Sequence, residues 1–108
     1  MIPKRLQPTE HEIQRTIVKW AQLNAARYGE LDMLFAIPNG GLRHIGTAMK
    51  LKAEGVRSGV PDLFLAVPST GIHGLFLEVK RGKCGQLSRS QAEWRDKLAH
   101  YGYAVSIV

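Results

Sequence analysis

The sequence predicts a mixed α/β domain in the order α-β-α-β-β-α-β, a mixed sheet of about four strands flanked by helices. Three observations predict it. Apolar residues recur at helical spacing through Ile13, Ile17, Trp20, Ala21 and Leu23, and again through Trp94, Leu98 and Tyr101. Two short apolar runs, Asp62–Val67 and Gly74–Lys80, are separated only by the turn residues Pro68, Ser69, Thr70 and Gly71. A last apolar run, Tyr103–Val108, follows directly on a helix stop at Gly102.

In chain order, residues 1–8 read as a basic N-terminal tail and residues 9–108 as a single domain. The first helix is expected from Thr9 to about Tyr28, with Thr9 as N-cap after Pro8 and Gly29 as its end. Thr9-x-x-Glu12 is a capping box, and Glu12 also lies at the margin of the apolar stripe, where a side chain could enter a cleft over the sheet. Met33–Ile37 is the first strand, stopped by Pro38. Asn39-Gly40-Gly41 is a turn by composition, or alternatively a lining of the substrate path close to phosphate. A short helix runs from about Gly46 to Glu54 and stops at Gly55, with Arg43, Lys50, Lys52 and Arg57 around it. Past the two central strands comes a basic, Gly-punctuated loop carrying Arg81 and Lys83. Ser88 then caps a helix to about His100, and Ser88-x-x-Gln91 is a second capping box.

With 108 residues the chain is long enough to remove roughly two-thirds of its unfolded surface from water. No run of apolar residues is long enough to span a bilayer, and the Lys4-Arg5 segment lacks the apolar stretch of a signal peptide. A lone cysteine, Cys84, excludes an internal disulfide and suits a reducing cytoplasm. Fifteen Lys and Arg against nine Asp and Glu leave a net charge of +6, so a polyanion is the expected partner. The four histidines have no metal-ligand spacing, and zinc motifs, a P-loop, a dinucleotide fingerprint and a Ser or Cys triad are all absent.

The chemistry concentrates on Asp62, Glu78 and Lys80. Asp62 opens the first central strand after Pro61, while Glu78 and Lys80 share one face of the second. If these strands pair as neighbours, two carboxylates and an amine converge at one end of the sheet. Such a set is costly to bury unless it has a purpose. Holding a hard divalent cation is one, because Mg²⁺ takes one or two carboxylates together with substrate phosphate. Asp62 and Glu78 would be the ligands, with the Val79 carbonyl as a third. Lys80 would hold or deprotonate the attacking water, in metal-assisted phosphodiester hydrolysis. The bland alternatives are a strand-start Asp62 and a solvated edge carrying Glu78 and Lys80.

The residues also carry a resemblance. Pro61-Asp62 with Glu78-Val79-Lys80 looks like the PD-(D/E)xK signature of a nuclease superfamily. The ordered set Glu12, Pro38-Asn39-Gly40-Gly41, Gly59-Val60-Pro61-Asp62-Leu63, Glu78-Val79-Lys80, Leu87-Ser88 and Gln91 is similar to the VRR-NUC (virus-type replication-repair nuclease) family. The likeness runs from about Glu12 onward, with no departure at a motif position. It implies a restriction-endonuclease-like core and a Mg²⁺- or Mn²⁺-dependent DNA endonuclease. It also implies a metal-site role for Glu12, directly or through water, and a Gln91 that orients water or phosphate. Asn39, Arg43, Lys50, Lys52, Arg57, Arg81 and Lys83 are the expected DNA contacts. Stand-alone members of this kind suggest a homodimer acting on branched DNA such as four-way junctions, in the cytoplasm, that of a bacterial host if phage-encoded. Two alternatives stay open: a flap or single-strand nuclease subunit of a replication or repair assembly, and a non-catalytic DNA-binding module.

Overall fold

The fold is that of a computed structural model, which describes residues 7–38, 45–82 and 86–108. Helix α1 is Glu10–Asn24, and a 3-10 helix, Gly29–Met33, leads into strand β1, Leu34–Ala36. Helix α2 is Ile45–Ala53, β2 is Leu63–Leu65 and β3 is Leu75–Glu78. Helix α3, Arg89–His100, and β4, Ala104–Ile107, complete the order. The expected succession of helices and strands is therefore present, with one unexpected addition, the 3-10 helix. Among the described residues no helix is long and apolar enough to cross a membrane.

Helix α1 stops short of the expected Tyr28. At its end the Asn24 side-chain amide donates to the Trp20 carbonyl at 2.8 Å, and the Asn24 carbonyl accepts from the N–H groups of Arg27 and Tyr28 at 3.1 and 2.9 Å, tightening the last turn. The chain then turns through residues 25–27, and Gly29 begins the next element rather than closing the first. The buried face of α1 also differs from the expected stripe. Ala21 is 2 % exposed, whereas Trp20 and Leu23 are 55 % and 73 % exposed. The half-buried residues Ile13, Ile17, Val18 and Ala25 flank Ala21, so the face is rotated away from Trp20 and Leu23.

The four strands lie in the order β1-β2-β3-β4. Strands β1, β2 and β3 are antiparallel neighbours, and β4 runs parallel to β3 after the α3 crossover. The acid-bearing strand β3 is thus central, as expected. The register sets Ala36 against Leu63, Leu63 against Leu77, and Glu78 against Ile107. Backbone pairing continues past the strand ends, through Ile37 N–H to the Asp62 carbonyl at 2.8 Å and Lys80 N–H to the Val108 carbonyl at 2.8 Å.

Alternation gives the sheet two different faces. One carries an aromatic row, in which Phe64 and Phe76 stack at 4.3 Å and Phe35 meets Phe64 edge-on at 5.6 Å. Tyr103 leans on Phe64 and Phe76 at 6.0 and 5.6 Å. The opposite face carries Leu63 and Val79, which with Pro61 are the most completely buried side chains among the described residues. By the same alternation Asp62 and Glu78 continue the aromatic row. Helix α1 packs on the 3-10 helix and β1, and α3 packs on β4.

Candidate active site

Asp62 and Glu78 face each other across the β2–β3 pair. The Leu63–Leu77 register, extended by one residue, makes them direct cross-strand partners on one face. The approach to Asp62 is rigid. Pro61 is buried, and Gly59 has φ +91°, with its α-carbon so close to α3 that a β-carbon would lie 2.8 Å from Ser90. Asp62 Oδ2 accepts the Val79 N–H at 2.8 Å, which fixes the carboxylate against the end of β3. Strand alternation turns the Val79 carbonyl to the same side as its N–H, toward Asp62.

Gln91 ties the rest together. Its Nε2 donates to Glu78 Oε1 at 2.9 Å, while its Oε1 accepts from Lys80 Nζ at 2.7 Å and from Ser88 N–H at 2.8 Å. The same residue therefore completes the capping box and bridges acid to amine. Lys80 Nζ stands 3.9 Å from Glu78 Oε1, and both side chains are largely withdrawn from solvent.

Glu78 is the electrostatic focus. Its carboxyl is pushed up to about 7, first by burial and next by the negative charge of Asp62. Lys80 opposes this rise, while a hydrogen bond to Asp62 and the charge of Glu10 add to it. Glu78 Oε2 is buried and has no hydrogen-bond donor among the described residues. Once protonated it can itself donate to Asp62, which accounts for that contribution. A divalent cation between the two carboxylates would replace the shared proton, so the residues fit a metal. Among the described residues no three of His, Cys, Asp or Glu gather as a ligand cluster. The donor set is thus two carboxylates with backbone oxygen, a sparse set of the kind Mg²⁺ accepts beside phosphate.

Glu12 is exposed, and its carboxylate accepts the Thr9 N–H at 3.2 Å in the expected capping box. The α1 acid whose charge reaches Glu78 is Glu10, and Glu10 Oε2 also accepts the Arg81 N–H at 3.4 Å. The signal lies in the spacing: Glu10 precedes Ile13, Ile17 and Ala21 at i+3, i+7 and i+11, in line with the face that Ala21 buries. The exposed Trp20 and Leu23 draw a stripe read from apolarity alone toward Glu12 instead.

Of the expected DNA contacts, Lys50 and Lys52 are exposed in the last turn of α2. Arg57 is exposed with its guanidinium 4.7 Å from the Trp94 ring centroid. Arg81 is half-buried and donates through Nη2 to the Gln7 carbonyl at 3.2 Å. Asn39, Arg43 and Lys83 lie outside the described residues.

Comparison with known proteins follows the same direction. The family model described as the VRR-NUC domain matches residues 1–108. A solved structure titled "VRR_NUC domain protein" is similar at TM-score 0.76 and 26 % identity, over 94 % of this chain and 77 % of that one. No curated protein matches the sequence.

Proposed function

The chain belongs to the VRR-NUC domain family, and on that premise we propose that it is a metal-dependent endonuclease that hydrolyses phosphodiester bonds in branched DNA. One observation carries the reading: Asp62 and Glu78 oppose each other at a sheet end beside Lys80, with an oxygen of Glu78 buried and lacking a donor among the described residues. Asp62, Glu78 and the Val79 carbonyl would hold Mg²⁺ or Mn²⁺. When bound, the ion supplies Lewis-acid stabilisation of charge developing on the phosphate.

The protein's own residues do the remainder. Lys80 directs its amine at the water that attacks phosphorus and balances charge on the phosphate oxygens. Gln91 fixes Lys80 against Glu78, so amine and carboxylates keep one spacing through the reaction. The attacking oxygen bonds to phosphorus, the bond to the leaving sugar oxygen breaks, and a proton passes to that oxygen. Glu10 lies on the site side of α1 and adds negative charge that favours a cation. Exposed Lys50, Lys52 and Arg57 offer phosphate contacts that set register without reading bases.

A homodimer suits this substrate, because two symmetry-related sites can cut two strands. The exposed Trp20, Leu23, Met33 and Phe35, on α1 and around β1, support it. Sedimentation at micromolar concentration checks the dimer. The activity is tested with labelled junction, flap and duplex DNA in Mg²⁺ or Mn²⁺. Junctions are expected to be cut, with Asp62→Asn and Lys80→Ala each reducing the rate by on the order of 10²-fold or more. Cleavage by these variants at the unaltered rate rejects the assignment.

A further inference from the structure

Beside the carboxylate pair lies a cavity of about 350 Å³, lined by Ile37, Pro38, Val56, Arg57, Val60 and Trp94. Its position follows from three links to the site. Ile37 N–H donates to the carbonyl of Asp62 at 2.8 Å. Val60 precedes the Pro61-Asp62 pair. Trp94 is three residues beyond Gln91 on α3, a rise of about 4.5 Å along the helix. The cavity thus opens roughly one helical turn from the place where a phosphate would be cut.

Its chemistry is specific. The walls are aliphatic, and Trp94 presents an aromatic ring with the Arg57 guanidinium 4.7 Å and Lys97 Nζ 6.0 Å from its centroid. Spacing alone assigns Trp94 to the core and Arg57 to a phosphate contact; in the fold the two form one aromatic and cationic platform. A ring with apolar walls and adjacent cations is the composition that stacks single-stranded bases while tracking their backbone. At ~300–1,000 Å³ for small-ligand sites, the volume suits a single planar base rather than a run of them.

We propose that this cavity receives one unpaired nucleobase adjacent to the scissile phosphate, stacked on Trp94. Arg57 already lies over the ring as a planar group; on binding it gives way to the base and turns to the flanking phosphate. Paired bases are stacked on both faces and cannot enter, so the cavity selects DNA with an unpaired nucleotide at the branch. This rests on the nuclease reading for its biological sense, but its test does not depend on cleavage.

The sequence has two tryptophans, and Trp20 is exposed, so a Trp20→Phe protein reports Trp94 fluorescence alone. In EDTA, a short oligothymidylate should quench that signal saturably, while a blunt, fully paired duplex of the same backbone charge should not. In Mg²⁺ or Mn²⁺, Arg57→Ala and Trp94→Leu should raise KM for a flapped junction about 5- to 150-fold, the factor expected for one stacked base, with kcat nearly unchanged. Equal quenching by duplex and oligothymidylate, or none by either, overturns the proposal. So does an unaltered KM in the exposed Arg57→Ala variant together with a folded Trp94→Leu variant. Quenching by oligothymidylate in a protein that cuts no DNA upholds this cavity and defeats the nuclease reading instead.

Discussion

Raising the pH should destabilise the metal-free protein, and one residue should be responsible. Glu78 has a carboxyl at about 7 in the folded chain against 4.5 as its ordinary value. Between these values the folded chain binds more protons than the unfolded one, so stability is full below about 4.5 and is lost as pH rises through 7. The gap is about 2.5 pH units (7 − 4.5), which at 1.36 kcal/mol each makes the total about 3 kcal/mol, most of it lost between about pH 5 and 8. For a domain of this length that lowers Tm by on the order of 10 °C. Glu78→Gln removes the titration and keeps an oxygen to accept from Gln91, so its Tm should stay nearly level over the window once other groups are subtracted as a common background. Thermal melts of both proteins in EDTA, in steps from acid to alkaline buffer, measure the difference. Mn²⁺ at pH 8, at about a hundred times its Kd, should return about 3 kcal/mol to the unaltered protein and little to the variant. The reasoning fails if the two proteins show parallel pH profiles, or if the unaltered protein becomes more stable across that window relative to the variant.

Three further outcomes follow from the geometry. Glu10→Gln should weaken Mn²⁺-dependent stabilisation and cleavage by several-fold, whereas Glu12→Gln, which keeps a capping-box residue, should leave both within a factor of about two; the reverse order in paired titrations would restore Glu12 to the site. Gly59→Ala should lower stability by more than about 1 kcal/mol in urea, because φ +91° disfavours alanine and its β-carbon would meet Ser90 at 2.8 Å; an unchanged midpoint contradicts that close approach. Gln91→Glu retains the cap but sets a third carboxylate beside Glu78, so the apparent Kd for Mn²⁺ near pH 7 should change and the pH profile of cleavage should move to more alkaline values; a profile that stays in place would separate Gln91 from Glu78.

What the chain discloses before folding depends on how local the information is. The facing of Asp62 and Glu78 was legible because a two-residue period and a single turn between neighbouring strands leave little choice of register. The capping boxes at Thr9 and Ser88 were legible because they involve only four consecutive residues. The phase of α1 was not, since Trp20 and Leu23 are apolar yet exposed, and hydrophobicity alone cannot say which neighbour a helix meets. That difference in phase is what separates Glu10 from Glu12 as the acid near the site. The 3-10 helix at Gly29–Met33 was not legible because five residues are too few to display a period of their own. Trp94 escaped for a related reason: an aromatic residue at core spacing can equally line a cavity, and only the segments that follow β1 and α2 reveal which.

The parallel β3–β4 pair has a consequence for synthesis. Glu78 C=O and Lys80 N–H, on either side of the acid-bearing strand's end, are both occupied by Val108, which lies beyond the whole of α3 in sequence. During translation the strand that bears the chemistry therefore keeps one bare edge until Ala104–Ile107 and Val108 have left the ribosome. A growing polypeptide in that condition has its acids, its amine and its bridging glutamine already made but no rigid frame to hold them. If the proposed activity holds, competence to cut should arrive abruptly, when β4 docks, and nearby nucleic acid is spared until then.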